Sequence, residues 1–307
     1  LILISICSVF TSYAQSIHEF VRYGTEALNG TARYQAMAGA FGALGGNLSS
    51  LANNPAGSTV FAYNEAGATI GVQSFSTTAN HFGNAANVEK SSFDISQAGF
   101  VLVLANPSSK WDKIAFGFNT QTSNNFDKNL YAQGINSNNG LEDYFLNNAS
   151  DIPFDTFNLD SSDADGQYAR LGNRLGYRAQ QAYLGLYAGA IIYDDMDDVY
   201  VADGLVDGGI NQRHELNTSG EQQVYTLNFS GRYMKKLSLG VNINIYSVDY
   251  SEYKATSDLY IDELSSLKEV DFRQEIHTFG TGVSFQFGAM FKATDILRLG
   301  LNYTSPT

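Results

Sequence analysis

KLSLGVNINIYSVDY, residues 236–250, puts Leu237, Leu239, Val241, Ile243 and Ile245 at every second position, with Ser238, Gly240, Asn242 and Asn244 between them. Successive side chains of a β-strand point to opposite faces, so this segment has one oily face and one polar face. Gln223 to Tyr233 repeats the pattern with Tyr225, Leu227, Phe229 and Tyr233, Phe279 to Phe291 with Val283, Phe285 and Phe287, and Leu297 to Tyr303 with Leu297, Leu299 and Leu301. Weaker copies lie at Gly67 to Ser76, Ser92 to Leu104 and Lys113 to Asn124. Seven strands are expected.

The connections alternate as well. About 15, about 98 and about 28 residues follow the first, third and fifth strands, but only about 8, 2 and 5 follow the second, fourth and sixth. Short turns at one end and long loops at the other are the pattern of an outer-membrane barrel. A soluble β-sandwich or a closed lipocalin-like barrel is the alternative, because a row such as Leu237 to Ile245 would also fill a core.

Composition agrees with a membrane barrel. The chain has 29 glycines, 4 prolines and 13% aromatic residues, and it contains no apolar run long enough for a helical membrane span. A net charge of −13 argues against nucleic acid as a partner. From Asp127 to Gly220 there are 15 acidic and 5 basic residues, so this stretch carries −10 of that charge. It reads as an exposed excursion.

At the front, Leu1 to Phe10 (LILISICSVF) is apolar but too short to span a bilayer as a helix, which takes about 20 residues. Followed by Ser12-x-Ala14, it reads as part of a secretory signal peptide, residues 1–14, cut before Gln15. The sole cysteine, Cys7, would leave with it, so no disulfide or thiol chemistry is expected.

The next segment, 15–61, contains ALNGTARYQAMAGAFGALGGNLSSLANNPAGSTVF from Ala27 to Phe61. A helix-compatible run (Ala36, Met37, Ala40, Phe41, Leu44) is interrupted by Gly39, Gly42, Gly45 and Gly46, then breaks into Asn53-Asn54-Pro55-Ala56-Gly57, a turn signal. This arrangement, leading through Ser49, Ser50 and Leu51 to Asn54-Pro55-Ala56 and then straight into strands, resembles the N-terminal hatch of the FadL/TodX family of outer-membrane transporters for long-chain fatty acids and other hydrophobic compounds.

The resemblance implies an all-β fold: a transmembrane antiparallel up-and-down β-barrel of about 14 strands. Residues 62–307 would be its front half, 127–220 a large, partly helical extracellular loop, and the N-terminal segment a hatch in the lumen. It implies that Gly39, Gly42, Gly45, Asn53, Asn54, Pro55, Ala56 and Gly57 act in gating. It also implies localisation in the bacterial outer membrane, contact with its lipid, and a monomer when the barrel is complete. A half-barrel alone has open edges that lipid cannot satisfy, so it is not expected to insert stably by itself.

The outer insertion carries helical periodicity at Gly140 to Ala149 and again at Tyr168 to Ile191, where Leu171, Leu175, Ala179, Tyr183 and Leu186 fall on one face. By resemblance, Leu171, Leu175, Tyr183 and Leu186 would line a first groove for an amphipathic substrate; packing of the loop onto the barrel rim is the other reading. In phase with the lumen side stand Phe75, Val101, Val103, Tyr246 and Val248, where an acyl chain would gain about 0.8 kcal/mol per buried methylene.

Other chemistry has little footing. Gly39-x-x-Gly42-x-x-Gly45-Gly46 follows no strand and lacks the lysine of a phosphate loop. Asp160, Asp163 and Asp165, or Asp194, Asp195, Asp197 and Asp198, offer hard oxygen ligands for a divalent cation but read more simply as solvated loops. His18, His81, His214 and His277 lack zinc-ligand spacing, and no cofactor or catalytic constellation is expected. The expected function is diffusive uptake of hydrophobic small molecules, gated by the hatch. A family-related role as partner or shuttle for secreted surface proteins is the alternative.

Overall fold

The computed structural model describes residues 17–159, 161–204 and 208–307. The expected signal segment 1–14, with Cys7, lies outside the described residues, as does Asp160.

The described residues form ten strands: β1 (Glu65–His81), β2 (Asn84–Ala105), β3 (Trp111–Asn125), β4 (Lys128–Asn136), β5 (Ile191–Asp194), β6 (Val199–Ala202), β7 (Ile210–Tyr233), β8 (Leu237–Tyr260), β9 (Glu269–Lys292) and β10 (Arg298–Thr304). The large sheet runs β1-β2-β3-β7-β8-β9-β10, antiparallel throughout, and β5 and β6 form a separate hairpin. β3 pairs with the 221–233 half of β7 while β4 pairs with its 210–218 half, so β3 and β4 are two lengths of one stave. All seven expected strands are present, curled into a half-barrel.

The curl is needed for the N-terminal segment to touch every stave. Leu48 packs beside Gly67 of β1, while Arg298 and Asn302 of β10 donate to Leu44 and Asn53. Seven strands at about 4.8 Å spacing would separate β1 from β10 by roughly 29 Å if flat. One short segment reaches both only from inside a concave sheet.

The loop lengths expected after the first and fifth strands are corrected. β1 and β2 continue to a tight turn at Phe82 and Gly83, whose φ values of 46° and 82° match a two-residue hairpin. β8 and β9 likewise continue to a connection spanning only 261–268. Beyond Ile245 the outward row runs Ser247, Asp249, Ser251, so the apolar alternation stops while the backbone ladder goes on. Hydrogen bonding needs no apolar face, and β7, β8 and β9 reach 24 residues each.

Helices are shorter than their periodicity suggested. α1 (Ile17–Gly24) precedes α2 (Ala32–Ala36), and the expected run from Ala36 to Leu44 is a chain of turns with left-handed backbone at Ala38, Gly39 and Gly45. In the insertion, α3 (Leu141–Ala149) forms as expected. The single helix expected from Tyr168 to Ile191 is two, α4 (Ala164–Leu175) and α5 (Tyr177–Tyr187), broken at Gly176 with φ 85°. No described helix is long and apolar enough to cross a membrane.

Among the described residues two apolar cores result. Leu48, Leu51, Phe61, Val101 and Ala115 join the N-terminal segment to β2 and β3. A larger one, including Phe145, Tyr183, Ile191, Ile210 and Tyr260, holds the insertion on the outer ends of β7 and β8.

Candidate functional site

The site is built on the polar face of the staves. Its central register row reads Val103, Ala115, Ser230, Gly240, Gly288, Asn302 across six strands. The side chains are smallest at its centre, and Asn54-Pro55-Ala56 rests there. A Cβ at Gly240 would lie 2.5 Å from the Pro55 carbonyl carbon, and one at Gly288 would lie 2.6 Å from the Pro55 ring. These strand glycines, which weaken a ladder, are the room the turn occupies.

One row outward come Val101, Gly117, Asn228, Asn242 and Gln286. The N-terminal segment folds here as two 3₁₀ turns, Leu48–Ala52 and Pro55–Val60, which leave carbonyls without intrahelical donors. The wall amides supply two of them, Asn242 donating to Leu51 at 2.7 Å and Gln286 to Ala52 at 2.8 Å, while Asn228 adds a second donor at 2.9 Å to the Pro55 carbonyl, which also accepts from the Ser58 hydroxyl. The alternating Asn and Gln of the strands thus form a socket matched to the segment's backbone.

Asn54 works in the other direction. Its side-chain oxygen accepts from the Ala56 amide, while its nitrogen donates to Gly42 at 2.7 Å and Ala289 at 3.2 Å. A single buried side chain thereby joins the turn, the glycine-rich run and β9. Asn53 donates to Gly39 at 3.1 Å, and the Tyr34 hydroxyl donates to Asn53 at 2.6 Å. Gly45 and Gly57 touch backbone to backbone, where a Cβ on Gly45 would lie 2.7 Å from the Gly57 oxygen. All eight expected hatch residues therefore belong to one folded segment on the inner face.

Outward of this segment lie two cavities in the trough between the wall and the chain from Tyr23 to Leu28. The first, about 550 Å³, is lined by Glu26, Leu28, Tyr34, Asn119, Gln121 and Tyr246 among others. The second, about 690 Å³, takes in Tyr23, Glu26, Tyr246, Val248 and Phe279. The α1 region is tied to the wall by Arg22, which pairs with Glu252 at 3.3 Å and lies 4.2 Å over the Tyr250 ring.

The expected substrate-lining residues divide among several places. Tyr246 and Val248 line these cavities, and Phe75 lines a neighbouring one of about 560 Å³ with Phe126 and Tyr250. Val101 is wholly covered by the N-terminal segment, with Val103 half-buried beside it. Leu171, Tyr183 and Leu186 are inside the insertion's core, whereas Leu175 is 46% exposed. Asn119, Gln121, Asn228, Asn242 and Gln286 were missed as site residues; their signal was the alternation of amides against apolar residues, read only as a face turned from oil.

Among the described residues no group of three or more His, Cys, Asp or Glu is placed to hold a metal ion. Asp163 pairs with Arg170 at 2.8 Å, and Asp194 accepts from the Met196 amide.

The other face of the half-barrel is apolar and open. Leu239, Val241, Ile243 and Ile245 are each 38–42% exposed, Leu227 and Phe229 nearly half, and Phe285, Phe287, Leu299 and Leu301 more than half. Trp111 and Tyr233 lie 5.3 Å apart at the short-turn rim. Compared with protein-family models, curated proteins and solved structures, the chain matches none.

Proposed function

We propose that this chain forms part of an outer-membrane β-barrel that admits hydrophobic small molecules, with residues 27–61 as its hatch. The observation that carries the reading is the pairing of the two sheet faces. A contiguous exposed row of Leu, Ile, Val and Phe crosses from β2 to β10, whereas the opposite face is polar and holds a plug. A soluble sandwich would bury the first face and leave the second in water. Exposed rows of this kind, flanked by rim aromatics such as Trp111 and Tyr233, suit the lipid band of a barrel.

In this reading a hydrophobic molecule is collected at the outer rim and enters the trough lined by Tyr246 and Val248. Asn54-Pro55-Ala56 blocks the way below. Passage requires the segment to leave its socket of Asn228, Asn242 and Gln286, and the motion is driven by the solute gradient.

The test is uptake of a labelled long-chain alcohol and a labelled fatty acid by cells lacking the complete protein, complemented with wild type, Pro55→Gly or a deletion of 27–57. Wild type should restore uptake and both variants should alter it. Equal uptake in all strains would sink the channel reading.

A second reading, partner or shuttle for secreted surface proteins, draws on the insertion. Its core packs α3, α4 and α5 onto strands that continue well past the apolar band, a folded platform at the end of the sheet that carries the insertion. Cargo secretion in the deletion strain, with small-molecule uptake unchanged, would favour it.

A further inference from the structure

We propose that the cavity above the hatch selects hydrophobic molecules whose polar end is uncharged and both donates and accepts hydrogen bonds, such as a long-chain amide or alcohol, and discriminates against fatty-acid anions. The inference rests on the uptake reading and narrows its substrate.

Two side chains of β3 carry it. Asn119, 1% exposed, has its side-chain oxygen engaged by Gln97, whose amide nitrogen donates at 2.7 Å; Gln97 in turn accepts from Thr69 at 3.3 Å. This chain of bonds fixes the Asn119 amide so that its Nδ2 donor is left without a partner. Gln121, two residues along on the same face, donates to the Asn29 carbonyl at 2.9 Å, which fixes its amide with the Oε1 acceptor left over. Both residues line the cavity of about 550 Å³. A buried polar atom without a partner is costly, and a group that accepts from one amide and donates to the other relieves both. A hydroxyl or carboxamide does so; a carboxylate has nothing to donate.

Charge points the same way. Glu26 lines this cavity and the next one outward, and among the described residues lining either there is no Lys or Arg. Arg22, at the adjoining cavity, is already paired with Glu252 and stacked on Tyr250. An anionic head entering here would give up water, meet a carboxylate and find no counter-charge. The rest of this lining is mostly polar, with Asn53, Ser123, Thr226, Asn244 and Gln286 among it, and suits the polar end; Val248 and Phe279 of the next cavity, with Leu28 and Val224 here, meet the apolar part.

The test uses the complete protein in bilayer nanodiscs with a matched series: dodecanamide, dodecanol, dodecanoate and dodecyltrimethylammonium, at a pH where the acid is ionised. Dodecanamide and dodecanol should bind about tenfold or more tighter than dodecanoate. Asn119→Leu and Gln121→Met should bring that ratio close to one, and Glu26→Gln should raise dodecanoate binding alone. Heat-modifiable gel mobility checks that each variant is folded. Equal or tighter binding of dodecanoate, a preference for the quaternary amine, or an unchanged ratio in both β3 variants overturns the proposal while leaving the channel standing. Failure of every member of the series to bind or enter cells removes the channel reading and this one together.

Discussion

The side-chain amide of Asn228 donates to the backbone carbonyl of Pro55 across 2.9 Å, tying the middle of a half-barrel stave to the Asn54-Pro55-Ala56 turn of the N-terminal segment. Asn228 also donates to Asn242 at 2.7 Å, so the wall donors are linked to each other. Truncation by Asn228→Ala should loosen the hatch by about 1–3 kcal/mol while leaving the ladder intact. Hydrogen exchange should rise across residues 48–60 without a change in the exchange of β7 and β8. Unchanged exchange in the hatch would refute the socket.

Bulk at the small-residue row should act more strongly. In Gly240→Val a side chain would occupy the space of the Pro55 carbonyl, and valine suits the strand it joins. The expected outcome is a folded wall with a displaced N-terminal segment, read as protease cleavage within 27–61 and, if the wall spans a bilayer, as increased conductance of the barrel in planar bilayers. Gly71, whose Cβ would meet nothing within 4 Å, is the control and should tolerate alanine without either effect.

On the opposite face, Ile243 is 42% exposed amid Leu227, Val241 and Phe285. If that face meets lipid, Ile243→Arg should lower the folding free energy of the complete barrel into bilayers by about 2–4 kcal/mol. If that face instead met water, an arginine there would cost nearly nothing. Measurement of folding into liposomes over a urea series distinguishes them.

The insertion predicts a pH dependence. Asp258 is fully buried at the outer end of β8 and accepts from the Leu141 amide and from Gln212 at 3.2 Å. Burial pushes its carboxyl above the ordinary value of 3.8, with a further push from Glu142, and the two hydrogen bonds only partly oppose this. The folded state thus holds the proton more tightly than the unfolded chain. The resulting stability is complete below the ordinary value and is lost as pH climbs through the raised one. Asp258→Asn keeps an acceptor for Leu141 without the charge, so docking of α3 should lose this pH dependence and gain stability at neutral pH. Asp258→Leu should instead lose about 1–3 kcal/mol, since the Leu141 donor is stranded. Proteolysis of the insertion against pH checks both.

From sequence alone the period-two rows of Leu237 to Ile245 and their counterparts determined the seven staves, their two unlike faces and the short turns between some of them. Side-chain direction along a strand is a local property, which is why these were legible. Strand length was not: past Ile245 the outward row turns polar, and only pairing with neighbours shows that β8 continues to Tyr260. The break at Gly176 was likewise hidden within a helical period, because Leu171 and Tyr183 meet in one core whether the helix is straight or folded back. Tertiary structure alone decided that Gly240 and Gly288, far from Pro55 in the chain, are gaps shaped for it. It also placed Asn119 and Gln121 with unmatched hydrogen-bonding atoms beside a cavity. A contact between distant residues depends on register and curvature summed over many strands, and no short stretch of sequence carries that sum.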